Sequence, residues 1–188
     1  MADVEFSVGP GKKVFKCHKF VLSLRSSVFQ TMFRPASVFR ESEAGAKIQL
    51  DDSSPQVFDK FIRYIYGDIT SLDFAPILDS PDDSDDVGSP PRKRQKMCRK
   101  RNIIELLGLA HKYQVQSLAD DLEPRIRMLL TNKNAMEFLY FAGLYGYKSL
   151  EQVVSKFIMS NKWSLGEAKQ SDWFSKLSRE SIVALLDG

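Results

Sequence analysis

The sequence predicts an α+β fold: a small sheet flanked by helices, followed by an all-helical extension. Three observations carry that expectation. Val4, Phe6 and Val8 alternate with polar positions, Gly9-Pro10-Gly11 supplies a turn, and Val14, Phe15 and Cys17 open a second strand, which is the pattern of a β-hairpin. Strand-forming residues then give way within a few positions to a helical apolar pattern, Phe20-Val21-Leu22-Ser23-Leu24, with a polar break at Arg25-Ser26-Ser27 before Val28 and Phe29. Finally, the C-terminal part repeats itself at a spacing of roughly 32 residues.

Taken in order, the hairpin leads into a short helix pair, a loop, and a third strand near Lys47 to Leu50. A helix from about Pro55 to Tyr66 follows. Ser53 or Ser54 can accept from its orphan N–H groups as N-cap, Pro55 suits its first turn, and Gly67 can take the left-handed conformation that ends it. Val57, Phe58, Phe61, Ile62 and Ile65 share one face, so the helix is expected to pack on the sheet.

From about Ala75 to Arg101 the apolar pattern collapses into prolines, an acidic stretch and a basic one. Such a segment cannot bury enough surface to offset its ordering entropy, and the expectation is a disordered insertion. Its cost is small, since each doubling of a flexible loop adds only about 0.6 kcal/mol. Beyond it, Asn102, Glu105, Leu107, Ala110, Tyr113, Ser117, Leu118 and Ile126 recur without gaps as Asn134, Glu137, Leu139, Ala142, Tyr145, Ser149, Leu150 and Ile158, which predicts two similar helical hairpins.

Composition narrows the functional classes. With 188 residues and 43% hydrophobic content, one domain or a domain with a small appendage can bury a core. No stretch approaches the roughly 18 uninterrupted apolar residues of a membrane span, and the start has neither a basic flank nor an apolar signal region, so neither a membrane nor secretion is expected. With Cys17 and Cys98 as the cysteines, no disulfide framework or four-ligand zinc site is expected within one chain, which fits a reducing intracellular compartment. Of the net charge of +3, the segment from Asp79 to Arg101, with five Asp and seven Lys or Arg, holds +2. The rest is nearly neutral, which disfavours a nucleic-acid groove on the folded body.

No catalytic constellation emerges. His18 and His111 have neither a nucleophile nor a metal partner close in sequence. Gly9-Pro10-Gly11-Lys12 lacks phosphate-loop spacing and joins two strands. Asp51-Asp52 precedes Ser-Ser-Pro, where carboxylates favour a helix N-terminus. With no zincin, kinase or serine-hydrolase signature, the expectation is a protein that is not an enzyme and uses no cofactor or metal.

Asp3, Val4, Phe6, Phe15, His18, Lys19, Val21, Leu22, Arg25, Ser26 and Phe29, then Ile48 to Asp52, Ser54-Pro55, Phe58, Phe61, Tyr64 to Gly67, and finally Ile104 to Leu118, together resemble the BTB/POZ family. The resemblance implies a BTB/POZ domain over residues 1–130, with the acidic-then-basic insertion at 75–101. Residues 131–188 resemble the start of the BACK region that often follows such domains, with Trp173 to Leu186 as its next helix.

Function follows as an implication of that likeness: a non-enzymatic adaptor that recruits an unidentified substrate protein to a ubiquitin ligase built on the cullin-three scaffold. Phe39-Arg40-Glu41 matches the family's apolar-x-Glu cullin-binding motif, in which Phe39 would anchor and Glu41 would meet donors on the pocket rim. Asp3 and Lys19 match a pair that forms a charged pocket near the dimer interface in many relatives; an ordinary ion pair is the alternative. Family dimers use elements preceding the Asp-Val opening, and only Met1 and Ala2 precede it here, so a homodimer stays open.

The basic run Arg92, Lys93, Arg94, Lys96, Arg99, Lys100 and Arg101 has the composition of a nuclear localisation signal kept extended by Pro90-Pro91, which predicts an import receptor as partner and a nuclear location, shared or not with the cytoplasm. DNA contact is the competing use, but nucleic acid is not the expected partner, because the neighbouring Asp residues compete for the same cations within a Debye length of about 8 Å. Ser80-Pro81 and Ser89-Pro90 are candidate phosphorylation sites. Two phosphates, each about −1.5 to −2, would reverse the segment's sign and gate import. The alternative to a cullin adaptor is a nuclear scaffold in transcription or chromatin that acts without a cullin.

Overall fold

The structure, a computed structural model, describes residues 2–34, 40–43, 45–68, 91–160 and 170–186. The chain divides into two compact units, Met1–Leu118 and Ala119–Gly188.

In the first unit, β1 (Val4–Val8) is the central strand of a three-stranded sheet. It pairs antiparallel with β2 (Lys13–Cys17), Phe6 opposite Phe15, and parallel with β3 (Ala46–Leu50), Phe6 opposite Ile48. Its alternation is the one read from sequence: Val4, Phe6 and Val8 are buried between half-exposed Glu5 and Ser7. Between β2 and β3 lie α1 (Lys19–Arg25) and α2 (Ser27–Met32), separated where Ser26 adopts extended backbone and its hydroxyl accepts from the Phe29 N–H at 3.1 Å. A single 3-10 turn, Arg40–Ser42, precedes β3.

The next helix, α3 (Pro55–Tyr66), has the predicted ends. Ser54, not Ser53, is the N-cap, its hydroxyl accepting from the Val57 N–H, and Pro55 fills the first turn. Gly67 closes it at φ 78°, a left-handed conformation that costs a residue without Cβ nothing. Val57, Phe58, Phe61 and Ile65 of the predicted face are buried, while Ile62 is half-exposed.

The long helix α4 (Pro91–Lys112) returns to this core, burying Ile103, Leu106, Leu107, Leu109 and Ala110. Of the segment expected to lack regular structure up to Arg101, residues 91–101 are therefore helical backbone; the remainder, 75–90, lies outside the described residues. The physical reason is local. Arg, Lys, Gln and Met are good helix formers, Pro91 stands at the first helical position where its missing N–H is harmless, and propagation from an existing helix costs far less than nucleation.

Aromatic packing closes the unit. Phe6, Phe29, Phe58 and Phe61 are fully buried, with ring centroids 5.9 Å apart for Phe6 and Phe29 and 5.2 Å for Phe6 and Phe58. Tyr113 stacks on Phe29 at 4.3 Å, and the Ser26 hydroxyl donates to the Tyr113 carbonyl at 2.6 Å. Glu105 reaches the start of α3, where the Ser54 N–H and hydroxyl both donate to its carboxylate.

Burial of Cys17 pushes its thiol from 9.0 up to about 12. A neutral thiol favoured in the folded state contributes stability that is complete below pH 9 and is lost as pH rises toward 12. Chemical denaturation is expected to show stability beginning to fall above pH 9, with a smaller fall in Cys17→Ala; identical profiles for the two chains would contradict the assignment.

The second unit is helical. After α5 (Gln116–Leu129), which the division between units crosses, α6 (Ala135–Leu144) and α7 (Lys148–Ser160) form a hairpin. Phe138, Leu139, Ala142, Leu150, Val154 and Ile158 are buried, and α8 (Arg179–Leu186) adds Leu185. Lys148 pairs with Glu151 at 3.6 Å and with Glu180 at 3.7 Å, joining α7 to α8. Gly143 lets α8 approach closely, since a Cβ there would lie 2.3 Å from the Ser181 hydroxyl oxygen. Gly143→Ala is expected to destabilise the unit by about 1–3 kcal/mol, as overpacking does. Because the obstacle is that oxygen, adding Ser181→Ala should restore most of the loss in thermal unfolding.

Candidate interaction surface

Of the expected contact residues, Asp3, Lys19 and Glu41 lie at and near the start of α1, a helix that also presents apolar side chains. Seven residues carry Phe20, Val21, Leu22 and Leu24, more apolar side chains than one buried stripe can hold. Leu22 is buried; Phe20 and Leu24, one turn apart on the opposite face, are 73% and 68% exposed. Two exposed apolar side chains one turn apart make this face of α1 a candidate contact surface.

At the head of α1, Asp3 and Lys19 do come together, but in a different way from a charged side-chain pair. The Asp3 carboxylate accepts from the Lys19 main-chain N–H at 2.8 Å, capping the helix start. The Lys19 ammonium instead donates to the carbonyl oxygens of Ser42, at 2.9 Å, and Glu43, and lies 5.4 Å from the centre of the Phe33 ring. The Asp3 carbonyl accepts from the Gly45 N–H at 3.0 Å, so strand and lysine hold the same stretch of loop from two sides.

That stretch contains Glu41, half-exposed within the 3-10 turn. Phe39 lies outside the described residues, as do Ser80 and Ser89. Of the basic run, Arg92, Lys93, Arg94, Lys96, Arg99 and Lys100 are on helical backbone, not on the extended backbone expected after Pro90-Pro91, and Arg101 is exposed on the same helix. His18 follows β2, where its N–H donates to the Tyr66 hydroxyl at 2.8 Å and its Nδ1 lies 2.9 Å from the same oxygen. Burial raises the Tyr66 phenol above its ordinary value.

Sequence reasoning missed Phe33, Ser42 and Glu43 as the partners of Lys19, and the exposure of Phe20 and Leu24. The surplus of apolar residues on α1 was a readable signal for the latter. The carbonyl partners carry no sequence signal, because any residue supplies a carbonyl. Among the described residues, no group of three His, Cys, Asp or Glu side chains could hold a metal ion, and no helix is long and apolar enough to cross a membrane.

Residues 1–83 match the model of the BTB/POZ domain. These residues form a BTB/POZ domain. The sheet, the helix pair and α3 are its described parts, and BTB/POZ domains are in general protein–protein interaction domains. Over 184 residues the chain is 26% identical to BTB/POZ domain-containing protein 9 of Rattus norvegicus, covering 98% of this chain and 25% of that protein. It is 28% identical over 186 residues to BTB/POZ and MATH domain-containing protein 4 of Arabidopsis thaliana, covering 98% of this chain and 35% of the relative. BTB/POZ domain-containing protein 6 of Xenopus laevis is 35% identical over 80 residues, 42% of this chain and 14% of its own. The chain thus spans about a quarter to a third of the two relatives matched along its length.

Proposed function

We propose that this chain is a non-enzymatic interaction adaptor whose BTB/POZ domain docks a cullin-three scaffold through Glu41, with Phe39 as the neighbouring apolar anchor. The observation that supports this reading most is the clamp on the loop: the Lys19 ammonium, bound to the carbonyls of Ser42 and Glu43, holds the turn carrying Glu41 against the start of α1. A loop ordered before binding spends less interaction energy on its own immobilisation. The helical second unit, read as BACK-like, extends the contact, and an unidentified substrate protein is recruited elsewhere. Calorimetric titration of the chain with the cullin-three N-terminal domain, beside Glu41→Lys, tests the proposal.

Self-association through α1 belongs to the same reading. Phe20 and Leu24 bury their exposed rings and methyls against a second copy, so a homodimer is expected in sedimentation, and Phe20→Asp with Leu24→Asp should sediment as a monomer with an unchanged far-UV spectrum. A parent chain that stays monomeric at high concentration would remove the homodimer.

The second reading is a nuclear scaffold that uses this surface without a cullin. The seven cations between Arg92 and Arg101 favour it, as a sequence that directs nuclear import through an import receptor and places the protein in the nucleus, with phosphorylation of Ser80 and Ser89 as the gate. Absence of cullin binding by the intact chain, together with loss of nuclear accumulation on neutralising the cations, would select this reading.

A further inference from the structure

Inside the helical second unit, two polar side chains are buried without a protein partner for all of their atoms. Glu151 on α7 is 3% exposed, and its Oε1 meets no hydrogen-bond donor; Ser155, four residues along the same helix and 1% exposed, has a hydroxyl in the same condition. Residues four apart lie one above the other on a helix face, so the two groups are neighbours. Burial without a partner is costly, and nearly all such groups in folded proteins find one in the chain or in ordered water. Gly143 and Ser181 show where a partner fits. A Cβ on Gly143 of α6 would lie 2.3 Å from the Ser181 Oγ of α8 and 3.4 Å from the Glu151 Oε1. The two oxygens are therefore no farther apart than those distances laid end to end, yet they do not bond each other, since Oε1 has no partner. That is the span of one water molecule with a hydrogen bond of about 2.8 Å to each side.

We infer that Glu151, Ser155 and Ser181 form a binding site for one buried water, which joins α8 to the α6–α7 hairpin. The hydrogen-bond inventory closes. The Ser181 hydroxyl shares one hydrogen bond with the Ser178 hydroxyl at 3.0 Å, which leaves its oxygen a lone pair to accept with. The water donates to the Glu151 Oε1 and to the Ser181 Oγ and accepts from the Ser155 O–H, about three bonds, the usual number for a buried water. Charge selects water over a cation. The Lys148 ammonium stands 3.6 Å from Oε2 of the same carboxylate, so the charge of Glu151 already has its counter-ion, and what Oε1 requires is a neutral donor. Among the described residues, no other His, Cys, Asp or Glu side chains complete a group that could hold a metal ion around it.

The test uses the full chain, and the sign of one effect decides it. A hydroxyl that is bonded to water loses that bond in Ser155→Ala, so the unfolding midpoint should fall by about 2–4 °C, even though Ala is the better helix former. A hydroxyl with no partner behaves in the opposite way: its removal relieves a buried unpaired group and raises the midpoint. Ser181→Ala, on a different helix, should couple to Ser155→Ala. Either substitution alone weakens the hold on the same water, so the double variant should lose clearly less than the two single losses added together. A crystal structure of the chain should then show one ordered water with oxygen neighbours from Glu151, Ser155 and Ser181. A midpoint that rises or stays in Ser155→Ala, additive losses in the double variant, a direct contact that closes Glu151 onto either serine, or a cation in the water's place would each overturn the inference.

Discussion

Glu41→Lys is expected to remove measurable binding to the cullin-three N-terminal domain while leaving the fold intact. Glu41 is half-exposed and belongs to a 3-10 turn whose main chain is held by the Lys19 ammonium, so the turn does not depend on the Glu41 side chain for that hold. Reversing a charge at a contact hot spot costs about 2–4 kcal/mol, and like-charge juxtaposition adds to that, so sub-micromolar binding would weaken by roughly 30- to 1,000-fold. Titration calorimetry gives the affinity and thermal unfolding gives the control. Tight binding that survives in Glu41→Lys would reject the loop as the contact; no binding even by the parent chain would reject the cullin reading in favour of the nuclear scaffold.

Phe58→Ala is expected to have the largest effect on stability. Phe58 is fully buried on α3, with ring centroids 5.2 Å from Phe6 on β1, 5.2 Å from Phe15 on β2 and 6.1 Å from Phe61. Truncation removes one ring from a cluster that joins two strands to a helix, and the cavity cannot close without moving the sheet. Losses for such substitutions run at about 3–5 kcal/mol, a large share of the about 5–15 kcal/mol that holds a typical domain. Urea unfolding should show an earlier midpoint with an unchanged slope. A shift below about 1 kcal/mol would mean that the cluster repacks, contrary to its described geometry. Leu at this position, which keeps most of the volume, should recover part of the loss.

Together the two substitutions separate the surface from the scaffold beneath it. Glu41→Lys should cost binding without stability, and Phe58→Ala stability first and binding only through loss of the fold. A reversed pattern would place the contact inside the core, which the exposure of Phe20, Leu24 and Glu41 does not support.

The sequence by itself determined the parts of the molecule whose causes are local. Period-two alternation placed Val4, Phe6 and Val8 on one face of a strand, and Ser54, Pro55 and Gly67 punctuated α3, because caps and turns are satisfied by residues a few positions away. The repeat located the helical hairpin of α6 and α7, whose period is likewise written in neighbouring residues. Tertiary structure decided what depends on distant groups. It extended α4 back to Pro91, because a helix anchored by Ile103, Leu106 and Leu107 carries neighbouring good helix formers with it. It turned the ammonium of Lys19 from the carboxylate of Asp3 to the carbonyls of Ser42 and Glu43, and it left Phe20 and Leu24 facing outward. Charge and hydrophobicity are properties of a residue, whereas which partner is near enough to satisfy them is a property of the fold.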